Sequence, residues 1–450
     1  MNGYEKKRAG NFPEFGYNDQ GAGKLTHPGR PMNQKPIAVL LASTAVIEPF
    51  GDAARDSLIL DRPLRDHHRE TLSALGFDVR EVAGLDDIKG LPAPYLVMHD
   101  HLFCSRRLLA EFLAKARQQP GAITQIQVKK GLFTRLLAVL QDLPEADGCL
   151  KFPLWYVSHG EFRPETAVPL VFDVDEESYE GNFPAHMIGK EAYRFCVTSR
   201  PIMVIHHPLH LALANLAANF ARLAELKKGS WWRKLLTLAR ARSLNKFRIL
   251  SAVSQIHPAA EVHPTAVIEG SVVEKGAKIG AYAVVRFSYV GENAFIDDHA
   301  GLKFSIVGRG AYIANNCVLF FSTVYPRAFL ISGPFQFTLF GYDTAVMNAI
   351  PSDYRLDTRT ISIPTRHGIA DTGLRFVGSV IGHRTRIAAG IIIAPGRMIP
   401  NDVTIYPDPA RVIQKIPDSL PPNASYHLIN GRLIPIGPRV EEQKKEQDTA

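Results

Sequence analysis

Aliphatic side chains recur at nearly every sixth position through the C-terminal part of this chain. They are Ile256, Val262, Ile268, Val273, Ile279, Val285, Val290, Ile296, Leu302, Val307, Ile313 and Leu319, and the series resumes at Ile381, Ile387, Ile393, Ile399 and Ile405. Neither the 3.6-residue period of a helix nor the 2-residue period of a strand produces that spacing. Small or polar residues follow each aliphatic one, as in VHPTAV, IGAYAV, VGRGAY and IAAGII. Three such units close one triangular coil, and each aliphatic stacks on its counterpart one coil away. The spacing therefore predicts a left-handed parallel β-helix of hexapeptide repeats from about Ile256 to Ile416. The register is lost between Phe320 and Phe376, which predicts an insertion over 320–376 that packs on the coil or on a neighbouring subunit. Long ordered insertions of this kind usually carry function.

A chain of 450 residues exceeds what one hydrophobic core organises. Residues 36–208 alternate strand and helix patterns: PIAVLLAS, FDVREVAG and PYLVMHD read as strands, and RPLRDHHRETLSALG and HLFCSRRLLAEFLAKARQQPG as helices. That alternation predicts a Rossmann-like α/β domain with a mostly parallel sheet. Residues 209–252 read as a basic helical arm broken at Gly229–Ser230, followed by the β-helix domain over 253–420. Residues 421–450 read as an extension ending in a solvated tail. The first 35 residues have no apolar h-region and read as a disordered tail in which Met32 is a candidate start. No apolar run is long enough to span a bilayer. Four widely spaced cysteines argue against a zinc site or a disulfide framework and suit a reducing, cytoplasmic setting.

The net charge of +8 is confined to one segment. Between Arg222 and Arg248 there are nine basic residues and one acid, Glu225, which leaves 43 basic and 43 acidic residues elsewhere. A nucleic-acid-binding field over the whole protein is therefore not expected. Trp231, Trp232, Leu235, Leu236 and Phe247 accompany this basicity, a pattern shared by helices that lie in a membrane interface. Peripheral membrane contact through Trp231–Arg248 is one expectation, and a connecting helix packed on the next domain is the other.

An α/β domain, a helical arm and a hexapeptide β-helix, in that order, resemble the bifunctional sugar-1-phosphate nucleotidyltransferase/acetyltransferase family, the N-acetylglucosamine-1-phosphate uridyltransferase-like enzymes. The likeness covers about residues 36–420. RPLRDHHRETLSALG resembles the segment that follows the family's nucleotide loop. YLVMHDHLF resembles the strand that ends in its metal-binding aspartate, which would be Asp100 holding Mg²⁺. VGENAFIDDHAGLKFSIVGRGAYIANN resembles the run with the sugar-phosphate contacts, and DTGLRFVGSVIGHRTRIAAGIIIAPGRMIP a stretch of archaeal-type members. The resemblance implies an acyl-CoA co-substrate, a sugar phosphate or nucleotide sugar as partner, and a homotrimer.

Two departures qualify that likeness. The family's glycine-rich phosphate loop is absent: Ser43, Thr44 and Ala45 stand in LLASTAVIEPFGDAARDS, and the expected lysine has only Arg55 or Arg62 as a stand-in. In the β-helix, matching the motif sets Lys303 at a sugar-phosphate-contacting lysine and Asn315 or Asn316 where the catalytic histidine belongs. Asparagine is no base near neutral pH. The remaining candidate bases are His299, four residues before Lys303, and His367 in the insertion. Arg309 joins Lys303, Asn315 and Asn316 as a substrate-binding candidate, and Ala388, Ala389 and Arg397 are candidates for contact with the acyl-CoA. His383 reads as a structural corner residue, and HHPLH (His206, His207, His210) as a poor metal site because Pro208 interrupts it. The function expected is acyl transfer to a sugar or sugar nucleotide, beside a degenerate nucleotidyltransferase domain. A non-catalytic sugar-nucleotide-binding or scaffold protein is the alternative, and nucleotidyl transfer through an atypical phosphate loop is a third reading.

Overall fold

A computed structural model describes residues 35–119, 121–181, 194–228, 231–420, 422 and 424–436. The predicted N-terminal tail, apart from Lys35, and the last residues of the C-terminal tail lie outside the described residues. The β-helix occupies Gln255 to Ile405 as three stacks of short parallel strands, with eight strands on the first face, eight on the second and five on the third. Successive coils pair seventeen residues apart, as in Val290↔Val307 and Ile296↔Ile313. The aliphatic of each unit points inward, where Val273, Ile279, Val285 and their successors form one buried core.

The expected insertion over 320–376 is corrected to a shorter one. The coil continues through Thr323–Val324, Phe329–Ile331, Phe335–Gln336, Leu339–Phe340, Ala345–Met347 and Ile350–Pro351, and the excursion runs only from Ser352 to Ser379. One coil here is shortened to sixteen residues, since Leu319 pairs with Phe335 whereas Leu302 pairs with Leu319. Phe335 and Phe340 also replace aliphatics in the core. A six-residue aliphatic pattern registers neither change. The excursion holds an antiparallel hairpin, Ser362–Thr365 with Gly368–Asp371.

One corner of the prism is a ladder of phenylalanines. Phe287, Phe304, Phe321 and Phe337 all adopt φ near +50°, a region that costs a non-glycine residue about 1 kcal/mol. Their rings stack at 5.1, 5.0 and 4.9 Å, which returns a comparable amount per pair. Beside them runs a hydroxyl ladder: Ser271, Ser288, Ser305 and Ser322 each accept the N–H of the matching residue one coil on. These bonds satisfy backbone donors at a corner that has left the strand ladder.

The α/β domain matches the predicted elements closely, with strands Ile37–Leu41, Asp78–Val82 and Tyr95–His99 and helices Leu64–Ala74 and Arg106–Ala116. Its sheet is more mixed than the alternation implied. Cys149–Val157 runs antiparallel to both neighbours, Tyr95–His99 and Ile123–Lys129. Helix Pro208–Lys228, the first half of the expected arm, is a shared core element between the domains rather than a linker. Its buried Asn215 bonds Leu60 N and Leu58 O of the α/β domain, and Asn219, one turn on, donates to Phe287 O of the β-helix. Phe220 meets Phe304 edge-on at 5.6 Å. A single buried cluster therefore runs from Leu40 and Met98 through Phe220 to Phe321, Tyr325 and Leu339.

Truncating the buried ring in Phe321→Ala should cost about 3–5 kcal/mol in urea denaturation. The same change at Tyr282, which has the same left-handed backbone but a ring 59% exposed, should cost less than about 1 kcal/mol. Equal losses would show that the ladder's packing is not what holds this corner.

Candidate functional site

Two regions concentrate polar side chains. The first is the carboxyl edge of the α/β sheet, where open α/β sheets place ligands. Leu41 and His99 are paired neighbours at that edge, so the residues that follow them converge: Ser43 N donates to Asp100 Oδ1 at 2.9 Å. Arg55 lies 3.8 Å and His101 3.7 Å from the same carboxylate. Burial alone would raise the pKa of Asp100, but hydrogen bonds from His101 and Ser43 outweigh it and hold the carboxyl below its usual range. Of the two stand-ins for the missing lysine, Arg55 reaches this edge while Arg62 pairs with Glu70 on the surface.

Histidines line the rest of that edge. His99 lies tilted against Trp155 and His101, and His206 meets His210 at 4.3 Å. His210 bonds Val139 O and His207 bonds Pro364 O. Burial, and secondarily the neighbouring His101, push His99 and His206 down to about 4. Asp100 does not fit a Mg²⁺ site: its carboxylate faces a guanidinium and an imidazole, whereas Mg²⁺ needs several hard oxygens. Among the described residues no group of three or more His, Cys, Asp or Glu side chains is arranged to hold a metal ion.

The segment after the first strand, from Val46 to Asp61, is turned onto the β-helix. Phe50 stacks on His383 at 4.6 Å and on Tyr325 at 5.7 Å. Asn401 donates to Phe50 O, and Tyr325 Oη accepts the Leu58 N–H inside the core. His383, 3% exposed, accepts Tyr342 N on Nδ1 and therefore presents Nε2–H to Asp52, 3.0 Å away. It is a docking residue between the β-helix and the α/β domain. Arg309, a candidate for substrate, is likewise committed to docking: its backbone N donates to Asp61 Oδ2 and its guanidinium to Asp61 O. Burial raises Asp61 to about 6 despite Arg309 beside it. Asp61 reaches this close because Gly291 and Gly308 carry no Cβ; one at either position would lie within 3 Å of its oxygens.

His367 sits exposed at the tip of the inserted hairpin. Neighbouring Arg366 donates to Val46 O, so the tip is seated against the α/β domain and does not join Lys303.

The second region is the corner between the second and third faces. Tyr282, His299 and Asn316 stand one above another at seventeen-residue spacing, all at φ +58°. His299 N donates to Ala281 O and Asn316 N to Asp298 O, which fixes the column. The His299 ring lies flat on Tyr282, centroids 5.2 Å apart and 11° between planes, and is exposed. Asn315 and Asn316 are exposed directly beside it, one coil on. From this corner the strand Gly301–Lys303 crosses the third face. Its outward column reads Val267, Val284, Gly301, Val318, so Gly301 leaves a notch between valines. Lys303 stands at the far side, roughly 13 Å from His299 by strand rise, with its ammonium 5.2 Å over the Phe320 ring. Ala388 and Ala389 lie near the same corner as His299, with Gly390 N donating to Asn348 O, about four coils or 19 Å further along. Arg397 is exposed at the phenylalanine corner instead. The structure thus groups His299, Asn315, Asn316 and Lys303 around one notch, with Ala388 and Ala389 up the same edge. Tyr282, the platform under His299, carried no motif; only its offset of seventeen residues identifies it.

No protein-family model matches the chain. It is 39% identical over 56 residues to the uncharacterised acetyltransferase YaiX of Escherichia coli K12, a match covering 12% of this chain and 24% of the relative. The chain thus spans about a quarter of the length of the curated relatives it matches. Among solved structures it is similar to PerB from Caulobacter crescentus, determined with CoA and GDP-perosamine (18% identical, 41% of this chain and 70% of that one, TM-score 0.17). It is also similar to a hexapeptide transferase family protein from Anaplasma phagocytophilum (16% identical, 34% and 75%, TM-score 0.20).

The neutral histidines of the sheet edge should make the fold less stable in mild acid. Their folded values lie below the ordinary 6.5, so their stabilising contribution is complete above that pH and is lost as pH falls from 6.5 towards 4. By pH 5, His99 and His206 should each have cost about 2 kcal/mol. Urea denaturation at pH 7 and pH 5 should show a smaller loss for His99→Gln/His206→Gln than for the wild type; an equal loss would mean that other groups dominate.

Proposed function

We propose that this protein transfers an acyl group from acyl-CoA to a sugar or sugar nucleotide at the His299 corner of its β-helix. The observation that carries the reading is the exposed His299 imidazole, fixed on Tyr282 at the lip of the Gly301 notch. In the step proposed, an amine or hydroxyl of the sugar attacks the thioester carbonyl while His299 takes its proton. The new N–C or O–C bond forms, the C–S bond breaks, and the proton passes to the departing CoA thiolate. Asn315 and Asn316 offer amide hydrogen bonds beside the reacting carbonyl, and Lys303 a cation for the sugar's phosphate. The pantetheine arm lies along the corner towards Ala388 and Ala389. A second subunit, in a homotrimer, closes the groove. The acetyltransferase name of the Escherichia coli relative points the same way over the stretch it shares.

A specific observation favours a purely structural role for the α/β domain in this reading. The segment from Val46 to Asp61 is occupied in docking through Phe50, Asp52, Leu58 and Asp61, and Arg366 closes over Val46. In this reading the domain has no loop free to cradle a triphosphate.

Free-thiol release from a panel of acyl-CoA donors with amino-sugar nucleotides and sugar phosphates tests the proposal. His299→Ala should lower kcat/KM by about 10²–10⁴, and Lys303→Ala should chiefly raise KM for the phosphorylated acceptor. Turnover undiminished in His299→Ala, or none from the wild type across the panel, would sink the assignment.

A further inference from the structure

Helix Trp231–Ala241 has an apolar face that nothing described covers. Its inner side contacts the following helix, Lys246–Ala252, which packs on strand Val267–Glu269 of the first coil. Leu250 O also accepts Gly270 N at 2.8 Å. The arm is therefore tethered to the end of the β-helix. Ala241 is the buried residue of this helix, at 8% exposure, whereas Trp231 and Trp232 are 58% and 66% exposed and Leu236 62%. At 100° per residue, Trp231, Trp232, Leu235, Leu236 and Leu238 span about 160° of one side, and Ala241 falls on the other. The largest apolar side chains of this helix face outward.

Charge indicates what covers them. The entire net charge of the protein, +8, resides between Arg222 and Arg248, and Arg240, Arg242, Lys246 and Arg248 are all exposed around the apolar face. The two indoles stack on each other, centroids 3.6 Å apart, and Phe247 extends the apolar surface beneath the Lys246 ammonium, 4.9 Å from its ring. A second copy of this chain would bring the same +8 segment against itself and incur repulsion. A surface that is apolar a few ångströms deep and negative at its boundary matches both features. No helix among the described residues is long and apolar enough to cross a membrane, so the match is to a bilayer's interface and not to its interior.

We infer that Trp231–Arg248 is a docking element for an anionic lipid bilayer, inserting Trp231, Trp232, Leu235 and Leu236 among the headgroups with its basic residues on lipid phosphates. The β-helix would then rest on the membrane by its first coil. This inference is independent of the acyl-transfer reading.

Flotation of the full chain with phosphatidylcholine vesicles, with and without phosphatidylglycerol, tests it. The wild type should float only with the anionic vesicles, less as salt rises. Arg240→Gln/Arg242→Gln should weaken partitioning roughly tenfold or more, and Trp231→Ser/Trp232→Ser by at least about tenfold. Because two of the three tryptophans lie on this face, emission of the wild type should shift to shorter wavelength on binding and be quenched by brominated lipid, a readout that needs no variant. Wild type left at the bottom of the gradient, equal flotation with neutral vesicles, or a tryptophan variant that only lowers the oligomeric size in solution would each overturn the inference.

Discussion

The seventeen-residue register of the β-helix is the constraint from which the remaining geometry follows. Each coil must turn three corners, and a residue at a given corner is fixed in backbone conformation and direction by the one seventeen positions earlier. Tyr282, His299 and Asn316 share φ +58° for this reason, although tyrosine has no preference for that region. The same rule stacks Phe287, Phe304, Phe321 and Phe337, whose rings offset the backbone cost that repeats at each level. It also sets Gly291 directly below Gly308, opening the channel through which Asp61 reaches two successive coils. Corner identity is therefore a property of the coil before it is a property of any motif.

The three faces of the prism meet different surroundings. The first is covered by the α/β domain, with Ile306, Thr323 and Leu339 on its outer side all buried. Covering a flat apolar face requires a rigid partner, and the chain supplies one with the loop from Val46 to Asp61. That commitment has a chemical consequence. A loop that wraps phosphates must leave its backbone N–H groups free and its side chains small. Here the N–H of Leu58 is bonded to Tyr325, the carbonyls of Val46 and Phe50 accept bonds from Arg366 and Asn401, and Phe50 fills the contact. A loop docked in this way has no free backbone N–H at Leu58 and no open concavity for a phosphate.

How far this was legible in the sequence depended on whether a feature was periodic. The coil, its aliphatic core and the α/β alternation all repeat, so they could be read from spacing. The coils between Thr323 and Pro351 were missed because one is a residue short and two phenylalanines occupy aliphatic positions, each enough to break a six-residue count. The membership of His299 and Asn316 in one column follows from the period once it is known. Non-periodic contacts could not be read. Nothing around Arg309 indicates that Asp61, 248 positions earlier, would claim it. Nor does anything around His367 show that its hairpin would be seated on Val46 through Arg366. Nor does the apolar pattern of their helix show that Asn215 and Asn219, one turn apart, bond the α/β domain and the β-helix respectively.

The distribution of covered and open faces also bears on the proposed chemistry. The second face carries Phe295, Tyr312 and Phe329 in one outward column, with rings 4.9 and 5.1 Å apart. The third carries Val284 and Val318 on either side of Gly301, both partly exposed. These two faces meet at the corner of His299. A single chain leaves that imidazole with a platform beneath it and a notch beside it, but solvent in front. An acyl thioester attacked there needs water held away, because an exposed carbonyl is open to hydrolysis and the base's proton to bulk exchange. Under the acyl-transfer reading, a second subunit must stand against the aromatic column of one face or the valine column of the other. The apolar character of both columns is what such packing requires, while the first face, already covered by the chain's own α/β domain, is excluded from it. Under that reading the reacting corner and the assembly surface are the same edge of the prism.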